Sequence, residues 1–209
     1  VKRTAAVIQN RCIRFRIRCH IQIQDKDNPH HISIRFSSLK DLDHVKALLL
    51  GPGLQVRAVD SRPFPEGLRQ YETRAQAIEA AGEKEVLPLS DAGSETFLVV
   101  ESSPILTGDD VRDCAVFRDG NPLLYSVDCR LRPGGAARLE AWTSANINRY
   151  LAVVLNRKAM SVGYVIAPIS LNIEASGIFG RQQAQELANI FESGNLPAPF
   201  DILHEEISP

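Results

Sequence analysis

The chain has 209 residues, of which 44% are hydrophobic and 23% charged, and 24 basic against 25 acidic residues give a net charge of −1. This length predicts one substantial core or two small ones. The composition excludes a polycation that binds nucleic acid or an anionic membrane by charge alone, and a chain disordered by self-repulsion. No apolar run approaches the roughly 18 residues of a membrane span. Because the sequence begins at Val1 without an apolar leader, we expect a processed protein or a piece of a longer one.

Positive charge is concentrated at the start of the chain. Residues 1–24 carry six basic side chains and no acidic one, which leaves −7 on the remainder. The two ends of the chain attract each other if they are neighbours in space, although exposed ion pairs contribute only about 0–1 kcal/mol each. This uneven distribution of charge therefore indicates how the two ends of the chain assemble, and it does not indicate an activity.

The first 59 residues predict the order helix–strand–strand–helix–strand. From Ile13 to Gln24 apolar and polar residues alternate strictly, which predicts a long strand with one buried and one solvent-exposed face. A turn follows over 25–30, and residues 32–36 alternate again. The other predicted elements are a short helix over 2–10, a helix that Ser38 caps and Gly51 ends, and a strand over 54–58.

The C-terminus predicts a further strand for this first module. Residues 200–207 follow the proline-bracketed segment Leu-Pro-Ala-Pro at 196–199 and include three acidic side chains. Because the first module buries little core by itself, we expect this strand to join its sheet, near the basic first strand. If both ends of the chain form this one sheet, the residues between them are an insertion into the first module.

The middle of the chain predicts a second α+β module after an irregular connection. Residues 60–95 contain three prolines around one predicted helix, 73–81. From Thr96 onward the patterns predict strands over 97–100 and 123–131, a helix over 136–142, a second helix from Thr143 to about 149, a hairpin over 151–166, and a helix over 180–193 ended by Gly194.

The four cysteines are interpreted as small buried hydrophobic residues rather than as a disulfide framework. Cys12 directly precedes the predicted long strand and Cys19 lies in it, which puts them about 23 Å apart at the rise of a strand and too far to bridge. Cys114 and Cys129 flank the turn Asp119-Gly120, but a two-residue hairpin there would place Cys114 opposite residue 125.

No motif supports catalysis or a metal site. The adjacent pair His30-His31 would point to opposite faces of a strand and is interpreted as a ligand-free turn. Asp109-Asp110 is interpreted as a turn leading into a helix start, and Gly134-Gly135 lacks the spacing and the lysine of a phosphate-binding loop. No serine-hydrolase or zinc-protease motif occurs, so we expect no enzymatic activity and no cofactor.

The basic face of the predicted first strand raises RNA binding as an alternative. An open sheet face binds RNA through aromatic side chains that stack on bases. Phe15 is the only aromatic residue of this strand and shares its face with isoleucines, so we assign it to the core. The face with Arg14, Arg16 and Arg18 is instead expected to meet solvent or a partner, and no nucleic acid is predicted.

Several motifs together carry a family resemblance. They are Leu98-Val-Val-Glu101, Pro104-Ile-Leu-Thr-Gly108, Asp113-Cys-Ala-Val116, the run from Thr143 to Leu155, Gly177-Ile-Phe179, Ala184-Gln-Glu-Leu-Ala188 and Ser193-Gly-Asn-Leu-Pro-Ala-Pro199. They resemble the first extracytoplasmic domain of the SecD subunit of the bacterial SecDF protein-export complex, most strongly over 96–207. Leu54-Gln-Val-Arg57 adds a weaker match in the first module. The sequence departs from the family at Leu155-Asn-Arg-Lys158, where the family has a "LDGK" turn, at Ser161-Val-Gly163, where it has "SAP", and at Arg35-Phe-Ser37, where it has "LPG".

The resemblance implies a ferredoxin-like split base subdomain with an inserted α+β head subdomain. The base would comprise residues 1–59 with 199–209, the connection 60–95 and the head 96–198. In the family the head is thought to grip emerging preprotein and to swing relative to the base, coupled to proton flow through membrane helices absent from this sequence. The hinge would lie near Val99 and Val100, and near Leu196, Pro197, Ala198 and Pro199.

The resemblance also implies partners and location. The partners would be unfolded preprotein and, through the full-length subunit, SecF and the SecYEG channel, with membrane contact only through flanking helices. The domain would lie on the periplasmic side of the cell inner membrane and bind extended polypeptide through an apolar groove or an open strand edge on the head. The alternative is a stand-alone SecD-like protein-interaction module with no export role.

Overall fold

The computed structural model describes residues 1–23, 31–37, 41–62, 67–91, 94–118, 120, 123–196, 202–204 and 206. Helices and strands are interspersed along this part of the chain, which confirms the predicted α+β class. The helices are α1 (Lys2–Arg14), α2 (Leu42–Leu50), α3 (Arg74–Ala81), α4 (Pro133–Ala145) and α5 (Arg181–Glu192). The strands are β1 (Cys19–Ile23), β2 (Ile32–Phe36), β3 (Leu54–Ala58), β4 (Glu85–Asp91), β5 (Ser94–Val100), β6 (Leu106–Thr107), β7 (Val111–Arg118), β8 (Tyr125–Leu131), β9 (Tyr150–Leu155), β10 (Lys158–Tyr164) and β11 (Asn172–Phe179).

Three sheets are formed within the described residues. β1 pairs with β2, six strands follow the order β5-β4-β10-β9-β3-β6, and three follow the order β11-β8-β7. Strand β3 comes from the first 59 residues but lies between β9 and β6. The N-terminal part of the chain and the remainder therefore share one sheet, and the ferredoxin-like order of the base stays a prediction.

The main core lies between the six-stranded sheet, the three-stranded sheet and α5. Strand β9 is buried on both faces, because Leu151, Val153 and Leu155 join this core while Ala152 and Val154 join a second cluster with β4 and β5. The amphipathic pattern of α5 places Leu187 and Phe191 in the main core. A third cluster joins α1 and α2 to the small β1–β2 sheet.

The order of the first five elements is confirmed, but the long strand predicted from Ile13 to Gln24 is wrong. Helix α1 continues to Arg14 and strand β1 begins only at Cys19. The helix wins because Ala5, Ile8 and Cys12 form a buried stripe at helical spacing, whereas Ile13 is 67% exposed. The helix predicted from Ser38 has Asp41 as its N-cap, whose carboxylate accepts the backbone N–H of His44. Ser38 and the predicted turn over 25–30 lie outside the described residues.

The connection predicted as irregular over 60–95 is more ordered than its prolines indicate. Helix α3 begins after Thr73, as predicted, and a capping box with Gln76 fixes its start. Strand β4 occupies 85–91 and pairs antiparallel with β5, with Pro88 opposite Phe97. The three prolines predict an irregular segment, but Pro88, which has no N–H to donate, is accommodated opposite Phe97 within the ladder.

Two predictions near the end of the chain also need correction. Thr143 lies inside α4 and caps no second helix: its hydroxyl donates to the carbonyl of Leu139 and accepts the N–H of Ile169. The strand predicted over 200–207 is wrong for its described residues, since 202–204 and 206 belong to no strand and Leu203 is 71% exposed. In contrast, the hairpin β9–β10 and helix α5 with Gly194 at its end (φ +83°) confirm their predictions.

The cysteines form two disulfides, contrary to the interpretation from sequence. Cys12 bonds to Cys19 with their Cα atoms 6.4 Å apart, because the helix and the strand are separate elements joined by a tight reversal. Cys114 bonds to Cys129 directly opposite it in the β7–β8 ladder. The register differs from the expected one because the ladder ends at Arg118 and Tyr125, so the connection is six residues long and not two.

Candidate functional site

A groove of about 640 Å³ opens between α2, β10 and α5. Apolar side chains from both walls and the floor give it a hydrophobic interior, while polar and oppositely charged side chains lie among them. The apolar residues include Leu48, Leu89, Met160, Val162, Phe179 and Ile190. The polar residues include His44, Lys158, Ser161, Ser176 and Glu186. Its volume lies in the range of ligand-binding clefts.

Strand β10 forms the floor of the groove and leaves part of one edge open. It pairs with β9 from Lys158 to Tyr164, but with β4 only at Ala159, opposite Leu89. Within the described residues no strand pairs with this edge from Ser161 onward, a stretch of four residues and roughly 13 Å. Strand β11, at the edge of the three-stranded sheet, supplies Ser176 and Phe179 to the same groove. An open edge beside apolar pockets is an arrangement that binds an added strand.

A buried arginine joins the two helical walls of the groove. The Arg11 guanidinium donates to the carbonyl of Leu49 at 2.9 Å, to that of Gly51 at 2.6 Å and to that of Gly194 at 3.1 Å, and its Nε donates to the hydroxyl of Ser193. The side chain has no solvent exposure, and burial lowers the pKa of Arg11 to about 10. The charged form still predominates at neutral pH, so the carbonyl oxygens at the ends of α2 and α5 are neutralised by one cation.

Further polar contacts join α1 to α5, α1 to Asp109, and α2 to the β9–β10 turn. Arg14 pairs with Glu192 at the end of α5, and Arg3 pairs with Asp109 at 2.5 Å. The amide of Asn156, in the β9–β10 turn, donates to the carbonyl of Ala47 in α2 at 3.3 Å. Arg11 therefore joins the two walls of the groove, and one exposed hydrogen bond joins the α2 wall to the turn beside the floor.

The structure gives the other singled-out residues structural roles. Asp110 caps the 3-10 helix Gly108–Asp110 through the N–H of Thr107 and pairs with Arg138. Gly135 lies against Asp110, where a Cβ would come within 2.6 Å of the Asp110 Cβ, which explains this glycine by close packing. His31 directly precedes β2, and His30 lies outside the described residues. Across the described ranges, no group of three or more His, Cys, Asp or Glu residues could hold a metal ion.

The arginines of the basic stretch do not form one strand face. Arg14 ends α1, Arg16 lies in the reversal after it with φ +55°, and Arg18 precedes β1. Phe15 packs against the main core. The predicted strand face thus does not exist, because Arg14 belongs to α1 and Arg16 and Arg18 lie in the reversal between α1 and β1.

The proposed hinge residues fall in two places. Val99 and Val100 are fully buried in β5, where the carbonyl of Val99 accepts the N–H of Asp60. Leu196 packs against the α1–α2 cluster, and Pro197, Ala198 and Pro199 lie outside the described residues. Their role as a hinge stays a prediction.

Sequence reasoning missed Arg11 and the groove. A signal for Arg11 was present, since it lies three residues after Ile8 on the apolar stripe of α1, where an arginine must find buried acceptors. The groove had no local signal, because its residues come from five separate segments of the chain.

Two solved structures share this fold along nearly the whole chain. One is a crystal structure of SecDF in a super-membrane-facing form, with a TM-score of 0.70 and 22% identity over 97% of this chain and 27% of that one. The other is described as the structure and function of a membrane component SecDF that enhances protein export, with a TM-score of 0.68 and 21% identity over 99% of this chain and 92% of that one. The chain therefore has the fold of a part of SecDF.

Sequence comparison identifies the family to which the chain belongs. The family model for the SecDF P1 head subdomain matches residues 84–198. The protein translocase subunit SecD of Aquifex aeolicus is 37% identical over 60% of this chain, and that of Koribacter versatilis is 31% identical over 84% of it. The chain belongs to the SecD family of protein translocase subunits and contains the P1 head subdomain. It aligns with only 24% and 33% of the length of these two relatives. None of the helices within the described residues is long and apolar enough to cross a membrane.

Proposed function

We propose that this chain is the extracytoplasmic, periplasmic part of a SecD subunit in the cell inner membrane and that its groove binds extended segments of unfolded preprotein during export. The observation that carries the proposal is the open edge of β10 from Ser161 onward, whose first two residues, Ser161 and Val162, line the apolar groove. The domain acts by binding and catalyses no reaction.

Main-chain pairing explains how such a groove accepts many sequences. An added strand gains hydrogen bonds from its backbone, which every sequence possesses, and alternate side chains enter the groove. Apolar residues such as Val162 and Phe179 accommodate aliphatic or aromatic side chains. Lys158 and Glu186 offer one charge of each sign, so neither acidic nor basic segments are excluded. A folded protein offers no such free strand, and selectivity for unfolded chains follows.

Release of the bound segment requires the groove to change shape. Since Arg11 joins α2 to α5, the two walls move together, and a displacement of both against the floor β10 opens or closes the groove. In the full-length subunit we propose that this displacement is driven by the proton-motive force and occurs beside SecF and the SecYEG channel. This coupling is supported by membership in the SecD family.

A bulky substitution in the groove tests the binding. Ser176→Trp fills the rim beside Phe179, and we expect the affinity for a fluorescently labelled, permanently unfolded secretory polypeptide to fall at least tenfold by anisotropy. The matched control is Ser144→Trp, on the exposed face of α4 and outside the groove, which should bind as the unmodified chain does.

Photo-crosslinking supplies an independent measurement. A benzophenone amino acid at Ser161 should crosslink the unfolded polypeptide strongly, whereas one at Ile78, exposed on α3, should not. Equal crosslinking at the two positions, or equal affinities of the two tryptophan variants, contradicts the proposal.

A further inference from the structure

Strand β10 carries a row of apolar side chains that continues beyond the groove. Val162 lines the groove, and Tyr164 and Ile166 follow it at intervals of two residues, the spacing at which side chains of an extended chain share a face. The side chain of Ile166 is 79% exposed. Single exposed isoleucines are common on protein surfaces, but an exposed apolar row that continues a groove is typical of an interaction surface.

The pairing of β10 with β9 fixes the face on which this row lies. Val162 is opposite Ala152, and Tyr164 is opposite Tyr150. Ala152 is fully buried in the second hydrophobic cluster, against which Tyr150 and Val162 also pack. The row therefore lies on the face of the six-stranded sheet that carries the second cluster, and Gly163 belongs to the opposite face.

The extended conformation continues past the last residue of β10. The N–H of Val165 donates to the carbonyl of Arg149 at 2.9 Å, and the N–H of Asn148 donates to the carbonyl of Val165 at 2.9 Å. These two bonds hold the chain beside the residues that precede β9 as far as Ile166. Among the described residues, no atom lies within 4 Å of a Cβ built on Gly163, so the strand is uncovered there.

Two tyrosines form an aromatic centre in this row. The ring centroids of Tyr150 and Tyr164 are 5.1 Å apart, with an angle of 50° between the ring planes. The Tyr164 hydroxyl donates to the side-chain oxygen of Asn148 at 2.6 Å, which fixes the orientation of its ring. Both tyrosines are only partly buried. Tilted rings offer edges and faces to a further aromatic ring, and an aliphatic side chain cannot reproduce these contacts.

We propose that Tyr150, Tyr164 and Ile166 form an aromatic subsite that receives an aromatic side chain of the polypeptide bound along β10. The inference rests on the proposed function, because a strand added to the edge of β10 is what reaches the subsite. Such a strand places every second side chain on this face, roughly 7 Å apart. One side chain then lies beside Val162, and the side chain two residues further along lies against the tyrosines. The preferred ligand is thus an extended segment with an aromatic residue, which a folded protein keeps in its core.

Two fluorescently labelled peptides test the subsite by anisotropy. One alternates threonine with phenylalanine, the other alternates threonine with leucine, and both have the same charged ends. The unmodified chain should bind the phenylalanine peptide about threefold to tenfold more tightly, the range that an aromatic pair adds beyond its buried area. Equal affinities overturn the inference and leave the proposed function standing. Binding of neither peptide contradicts the proposed function, and the inference with it.

Substitutions assign the preference to one ring. Tyr164→Leu should bind the two peptides with equal affinity, whereas Tyr164→Phe keeps the ring and should retain the preference for phenylalanine. The matched control is Tyr125→Leu, at the start of β8 and outside the groove lining, which should also retain it. A preference for phenylalanine that survives in Tyr164→Leu overturns the inference.

A second pair of variants covers the case in which Tyr164→Leu does not fold. Ile166 is 79% exposed, so Ile166→Asp should leave the Tm unchanged and weaken binding of the phenylalanine peptide by about threefold or more. Ile13→Asp changes an isoleucine of α1 that is 67% exposed, and it should bind this peptide as the unmodified chain does. Equal affinities of the two aspartate variants for the phenylalanine peptide overturn the inference.

Discussion

Arg11 illustrates how a single side chain positions distant segments. Its guanidinium meets carbonyl groups at the ends of both α2 and α5, and these helices contribute Leu48 and Ile190 to the groove. Removing it leaves buried carbonyl oxygens without a donor. Each unsatisfied buried group costs about 1–3 kcal/mol.

We therefore expect Arg11→Met to lower the free energy of unfolding by about 2–4 kcal/mol, measured by urea denaturation. Arg11→Lys should recover little of this loss, because one ammonium group cannot reach the acceptors that the planar guanidinium contacts. Arg3→Met is the matched control: Arg3 pairs with Asp109 but is 62% exposed, so its loss should cost at most about 1 kcal/mol. A similar cost for Arg3→Met and Arg11→Met would show that burial of the guanidinium is not what makes Arg11 important.

At the scale of elements, the β9–β10 hairpin turns through two residues with positive φ, Asn156 at +49° and Arg157 at +61°. A turn of this kind favours glycine at its second position, since a Cβ there is strained. Arg157 has an ion pair with Glu85, but its side chain is 75% exposed. The backbone strain at Arg157 should therefore cost more free energy than its exposed ion pair with Glu85 contributes.

Arg157→Gly is accordingly expected to raise the free energy of unfolding by about 0.5–1 kcal/mol in urea titrations. Arg157→Ala removes the same ion pair but keeps the Cβ, so it should not stabilise the protein. Stabilisation by both substitutions would indicate that the arginine side chain, and not the backbone conformation, is unfavourable.

The contact between α2 and this turn depends on a missing side chain. A Cβ on Gly51 would lie 1.9 Å from the amide oxygen of Asn156 and 2.8 Å from the carbonyl oxygen of Ala47. Gly51→Ala should destabilise the protein by about 1–3 kcal/mol, as overpacking does, and disturb the groove wall. Gly163→Ala in β10 is the control, because no atom lies within 4 Å of a Cβ there; a thermal melt should show no loss of stability.

The elements differ in how well the sequence predicts them. Helices α2, α3 and α5 and the β9–β10 hairpin combine periodicity with a cap or turn residue, and all were predicted nearly correctly. Strands β4, β6, β7 and β11 were not predicted; Pro88 interrupts the first, and β6 is only two residues long. In α1 and β1 the same residues fit both a period of 2 and a helical period, and burial of Ile8 and Cys12 decides between them. The groove and the disulfides depend on tertiary pairing, which no single segment encodes.

At the scale of the whole molecule, β3 lies between β9 and β6 in a sheet whose other strands all come from the later part of the chain. Its residues from Leu54 to Ala58 pair with β9 in one continuous register. Because neither strand can be freed without breaking the other's hydrogen bonds, the two should open only together.

Native-state hydrogen exchange followed by mass spectrometry tests this cooperation. Amides in β3 and β9 should exchange with the same opening free energy and the same dependence on urea, close to those of global unfolding. The control is α3, whose buried residues Ala77 and Ala81 belong to a small cluster around Val99, and which should exchange more readily. Faster exchange in β3 than in β9 would show that the N-terminal part unfolds on its own.

The position of β3 also limits how this protein can be shortened. A fragment restricted to residues 84–198 would lack the strand between β9 and β6, and the apolar residues of β9 would border an unpaired edge. Exposed edges of this kind recruit strands from other molecules. Such a fragment should therefore self-associate into oligomers on size-exclusion chromatography, and adding back a peptide that contains residues 54–58 should return it to the monomer.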